Sequence, residues 1–96
     1  MTEEEIIQAQ IDKPYERLFT YLTSLGYKSS KGLTDRVHNL NKVTFVRHER
    51  GKHVKVTVWH MWVNSSFGIL SPGLITDIDY KDLTPRYEVA SDDRAN

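Results

Sequence analysis

Four histidines, His38, His48, His53 and His60, are the residues of this chain best suited to acid–base or metal chemistry, because imidazole changes charge near neutral pH and is the commonest metal ligand. His48 and His53 flank Glu49, Arg50, Gly51 and Lys52. Closing those four residues as a hairpin loop makes the two histidines direct cross-strand neighbours, with Cβ atoms about 5 Å apart. Imidazoles at that separation could share a metal ion, with His38 as a third ligand. No H-E-x-x-H or comparable spacing accompanies them, and Arg47, Arg50, Lys52 and Lys55 would repel a cation. Two solvated histidines closing a hairpin is the favoured reading, and no metal site is expected. A small nuclease using His48, His53 or His60 as general acid or base, with Arg47 or Lys55, is the weakest of three functional readings, because geometry rather than composition makes such a site.

Other chemistries are excluded more firmly. The chain has no cysteine, which removes disulfides, thiolate nucleophiles and Cys-based metal centres. Phosphate-cradling GxxxxGK[ST], dinucleotide-binding GxGxxG and nucleophile-bearing GxSxG motifs are all missing. Asp77, Asp79 and Asp82 form an acidic cluster, but no sharp-turn Gly and no distal Glu complete a calcium loop. Those carboxylates read better as a charged edge that guards a sheet from edge pairing. Neither a cofactor nor catalytic activity is expected.

Charge is the strongest functional signal. Lys+Arg and Asp+Glu number 13 each, so the chain is formally neutral. Residues 28–55, however, hold Lys28, Lys31, Arg36, Lys42, Arg47, Arg50, Lys52 and Lys55 against Asp35 and Glu49, eight minus two or net +6, and the segments on either side sum to −3 each. Asymmetry of this kind suggests an anionic partner. Arg50 and Lys52 at a hairpin tip suit phosphate contacts, which give affinity without sequence readout. Trp59 and Met61 follow in the same strand, and an exposed Trp or Met beside arginine has the composition of a binding hot spot. The bland reading is that these cations keep a loop and a strand edge soluble.

These residues need elements to hold them. Tyr15, Leu18, Phe19, Leu22 and Leu25 recur at helical spacing over residues 14–25. Asp12 is the N-cap candidate, Pro14 suits the first turn, and Gly26 can take the left-handed position that ends a helix. Residues 2–11 are ambiguous: Thr2 and Glu5 match a capping box, whereas Ile7, Ala9 and Ile11 alternate as in a strand, and the strand is narrowly favoured. Residues 28–42 read as a loop. Residues 42–48 and 53–63 form the hairpin, with His48 opposite His53, Phe45 opposite Val56 and Val43 opposite Val58. That register puts Val43, Phe45, Val54, Val56 and Val58 on one face, and a one-residue slip would scatter them. Residues 67–70 and 74–79 are expected as two more short strands around a Ser71-Pro72-Gly73 turn, and residues 87–90 as an edge strand.

Together these elements predict a single α+β domain over residues 1–90, one amphipathic helix packed on a small antiparallel sheet in strand–helix–meander order, with a frayed tail at residues 91–96. The acidic start lacks the basic and apolar regions of a signal peptide, and no run approaches a membrane span, so a cytoplasmic protein is expected. The leading functional reading is a small non-catalytic binding protein, a regulator or inhibitor that occupies a surface of a partner protein or nucleoprotein. A direct nucleic-acid-binding domain using the basic segment is the alternative. Both readings draw on Arg36, Arg47, His48, Arg50, Lys52, His53, Lys55, Trp59 and Met61.

Overall fold

The computed structural model describes residues 1–30, 33–35, 40–49 and 51–85. Two short helices, α1 (Glu3–Gln8) and α2 (Tyr15–Ser24), precede five strands: β1 (Lys28–Ser29), β2 (Leu33–Asp35), β3 (Leu40–Glu49), β4 (Lys52–Asn64) and β5 (Leu70–Asp82). The class is α+β. The strands form one antiparallel sheet in the order β1-β3-β4-β5, with β2 also pairing β3.

The first element is a helix, not the strand that the alternation of Ile7, Ala9 and Ile11 suggests. The capping box decides it: the Glu5 N–H donates to Thr2 Oγ1 at 3.2 Å, and the Thr2 N–H donates to Glu5 Oε1 at 2.8 Å. These reciprocal bonds satisfy two otherwise unpaired donors of the first turn. Ile7 alone is then fully buried, and Ile11 stays 37% exposed beyond the helix. Asp12 is not the cap of α2, whose N-cap is Pro14. Instead Asp12 adopts φ +70°, its N–H donates to the Ile75 carbonyl at 2.9 Å, and the Ile75 N–H donates to the Lys13 carbonyl at 2.9 Å. The linker between the helices thus covers part of the outer edge of β5.

Helix α2 ends as its sequence indicates. Gly26 has φ +96°, the Gly26 N–H donates to the Thr23 carbonyl at 3.1 Å, and the Tyr27 N–H donates to the Leu22 carbonyl at 3.0 Å. This is a Schellman termination, and its accompanying apolar contact is between Tyr27 and Leu22, both buried. The β3–β4 hairpin has the expected register: His48 faces His53, Phe45 faces Val56, and Val43 faces Val58. Val54, Val56, Val58 and Phe45 are fully buried against Ile7, Leu18 and Leu22, with Val43, Ile75 and Ile78 completing the layer. Both helices therefore lie on this inner face.

Two departures concern loops and turns. Part of the expected loop 28–42 forms strands β1 and β2 along β3. The Ser71-Pro72-Gly73 segment is no turn but lies inside a continuous β5, with Pro72 opposite Trp62 and register shifts on either side of His60. A Pro is tolerated there because β5 is an edge strand and bulged. The turn instead spans residues 65–69, where the Ser65 hydroxyl accepts from the Phe67 and Ile69 N–H groups at 3.3 and 3.2 Å and Gly68 has φ +79°. The expected edge strand at 87–90 and the tail at 91–96 lie outside the described residues. No helix among the described residues is long and apolar enough to cross a membrane.

Candidate functional site

The sheet sorts the sequence-predicted residues onto two faces. Alternation along β3 and β4 puts His48, His53, Lys55, Trp59 and Met61 on the outer face, away from the helices. Arg47 is on the inner face, where its side chain is 13% exposed and Nη2 lies 3.2 Å from Glu3 Oε1. Its guanidinium also sits 4.9 Å from the Tyr27 ring centroid. Arg47 is thus occupied within the fold and is not brought together with the outer-face group. Lys52 is exposed beside the β3–β4 turn, next to a cleft of about 230 Å³ lined by Leu25, Arg47, Glu49 and Lys52. Arg36, Arg50 and His38 lie outside the described residues.

Glu3 is the hub of the inner rim. Its carboxylate accepts from the Tyr27 hydroxyl, from the Tyr80 hydroxyl at 3.4 Å and from Arg47. Burial, then the bonded and negatively charged Glu3, push the Tyr27 hydroxyl well above the ordinary phenol range, and burial likewise raises Tyr80. The cluster ties the start of α1 to β3 and β5.

His60 is a core residue, 1% exposed. Its Nδ1 lies 2.8 Å from the Met61 carbonyl oxygen, which can only accept, so the proton resides on Nδ1. The unprotonated Nε2 then accepts from Asn41 Nδ2 at 3.0 Å. The Tyr15 ring lies against it, tilted by 40° with centroids 4.3 Å apart, and Trp62 stands edge-on at 5.2 Å. Burial lowers the His60 pKa below its ordinary value, favouring this neutral form. The sheet separates His60 from His48 and His53, so the three cannot share one reacting centre.

On the outer face the His48 and His53 rings stack, with centroids 4.0 Å apart and planes 28° from parallel. Stacked rings send their in-plane lone pairs side by side rather than toward one point, unlike a shared-metal geometry. Among the described residues no three His, Asp or Glu side chains gather as a metal site. Trp59 is half-buried, with Lys42 Nζ at 5.9 Å from its ring centroid. Met61 is 41% exposed.

The feature that sequence reasoning missed lies at the other end of β4. The last described pairing of β3 is Leu40 with Met61; beyond it, among the described residues, β4 pairs with β5 alone. This arm exposes Val63 at 54%, Phe67 at 88%, Ile69 at 63% and Leu70 at 48%. The sequence leaves two outcomes for Trp59, a second layer from residues 67–70 or an exposed ring; Phe67 and Ile69 are themselves mostly exposed, and Trp59 is half-buried beside Lys42. The available signal is an apolar run bounded by Ser65-Ser66 and Ser71 with no alternation to assign it a buried face. No family, curated protein or solved structure matches this chain.

Proposed function

We infer that this is a non-catalytic binding protein that regulates or inhibits a partner protein by occupying part of its surface, and that it docks through the β4–β5 arm. The observation that carries this reading is the exposure of Val63, Phe67, Ile69 and Leu70 on a β4–β5 ribbon that, among the described residues, runs on beyond the last β3 pairing. Two-stranded ribbons are marginal in water on their own, and this one exposes apolar side chains on both faces, Val63 on the face of Ser71 and Leu70 on the face of Asn64, surface that a partner would cover. A protein partner supplies the missing apolar layer, whereas a phosphate backbone does not. Supporting a non-catalytic role, His60 is sequestered in the core and Arg47 is held by Glu3.

The test compares wild type with a Phe67→Ser/Ile69→Ser variant as baits in nuclease-treated lysate. The variant should melt where wild type does, because both side chains are already exposed. A discrete protein retained by wild type and lost by the variant is the expected result. Equal capture by both baits would overturn the assignment of the arm.

A further inference from the structure

The outer sheet face carries a second surface of different chemistry. In the observed register Lys28 pairs with Val46, Val46 with Lys55, and Lys55 with Lys81. Directly paired residues share a face, so three lysines form one row across four strands. With strands about 4.8 Å apart, the row runs about 14 Å. The stacked His48 and His53 form the neighbouring row. Lys28, Lys55 and His48 are exposed, and the Lys81 side chain is 60% exposed. A cleft of about 230 Å³ lined by Gly26, Lys28, Val46 and His48 opens at the β1 end.

Such a row disfavours the fold, because like charges directly opposite across a strand pair repel. Only Lys81 is compensated, by Asp79 at 3.8 Å. Among the described residues no carboxylate stands within ion-pair distance of Lys28 or Lys55. Lys28 and Lys55 thus stand as two uncompensated positive charges on the outer face, whose carboxylates, Asp77 and Asp79, lie at its β5 side in the neighbouring rows.

We propose that this lysine row binds the phosphate backbone of a nucleic acid. Charge complementarity argues for the occupant, because a duplex presents a phosphate charge about every 1.7 Å along its axis, so several fall within reach of the row. The row offers Val46 as its single apolar side chain and no aromatic anchor, which is poor chemistry for a protein hot spot. Trp59 is two rows away, half-buried beside Lys42 and followed across the sheet by Asp77. Contacts are therefore to phosphates and carry no base readout. This goes beyond the docking arm and stands independently of it. Together the two surfaces describe a partner that is a nucleoprotein, its protein held by the arm and its nucleic acid by the row.

The test is fluorescence anisotropy of the full chain with a labelled random-sequence DNA duplex over a salt series. Three phosphate contacts predict a log–log slope of affinity against salt of about −2 to −3. Lys55→Glu should weaken binding by about tenfold or more at low salt, since it deletes one contact and repels the next phosphate. The variant should not lose thermal stability, because it converts a Lys–Lys pair into a Glu–Lys pair, so lost binding cannot be ascribed to unfolding. Phe67→Ser should leave duplex affinity unchanged. Absence of salt-sensitive binding, wild-type affinity in Lys55→Glu, or displacement by polyglutamate at equal charge would each overturn the proposal. None of those outcomes bears on the arm.

Discussion

Asn41 Nδ2 donates to His60 Nε2 at 3.0 Å inside the core, while His60 Nδ1 donates to the Met61 carbonyl. Both ring nitrogens are satisfied only in the neutral form. Protonating Nε2 would set a new N–H against the Asn41 amide hydrogens. The folded-state pKa is accordingly depressed, with burial as its main cause. On acidification the unfolded chain therefore takes up the His60 proton first. Stability from this residue is complete above the ordinary histidine value of about 6.5 and declines as pH falls below it, by at most about 1.4 kcal/mol per pH unit. His60→Gln retains hydrogen-bonding capacity without a titration. Urea midpoints measured from neutral to mildly acidic pH should fall less steeply for the variant than for wild type, and parallel curves would contradict this account.

The Glu3 hub sets the second prediction. Glu3→Ala removes the acceptor shared by Tyr27, Tyr80 and Arg47 and leaves Arg47, 13% exposed, without its carboxylate. Hydrogen bonds to charged groups contribute roughly 1.5–3 kcal/mol each, so a loss of about 2–3 kcal/mol is expected in chemical denaturation. Amide exchange should also accelerate across Glu3–Gln8. A variant with wild-type stability would show that the cluster is incidental to the docking of α1.

Burial of the hairpin and α2 as one layer predicts a single cooperative unit. Amides in residues 16–25 and 53–62 should share one exchange free energy, because Leu18 and Leu22 are fully buried with Val54, Val56 and Val58. Phe45→Ala should cost about 3–5 kcal/mol and lower both segments together. Separate opening of helix and hairpin would refute the shared core.

How much of this was legible in the sequence follows from how local each signal is. The hairpin register was, because one alternating set of valines and Phe45 admits a single pairing with a short loop. The end of α2 was, because only Gly26 could take φ +96° without strain. The start of the chain was not: an alternating Ile7-Ala9-Ile11 set competed with a capping box, and the capping box prevailed. Pro72 and Gly73 were misread as a turn because the same residue types serve bulged edge strands. Along β4, the same alternation that places the valines on the inner face places His60 with them and Trp59 and Met61 opposite. It did not reveal that Arg47 has a partner 44 residues away in Glu3, or that Lys28 and Lys81 align with Lys55, since both depend on contacts far apart in the chain.

Gly73 offers a local test of the arm. A Cβ at this position would stand 2.8 Å from Val63 Cγ2 and 3.2 Å from the Met61 carbonyl oxygen. The side chain can move aside but the backbone oxygen cannot do so freely, so Gly73→Ala should cost about 1–3 kcal/mol of local packing. Exchange should quicken in residues 62–72 while core amides keep their protection. Unchanged exchange in the arm would mean that the two strands pack less closely than described.

The docking arm is tested most directly by a photoreactive benzophenone side chain placed at position 67, where Phe67 is 88% exposed and aromatic already. The same group at the exposed Glu16 of α2 serves as the control. Irradiation in cells should give one discrete adduct at position 67, degraded by protease, resistant to nuclease and absent from the control. No adduct at 67, an adduct removed by nuclease, or the same pattern at both positions would contradict the claim that this protein binds a protein partner through its β4–β5 arm.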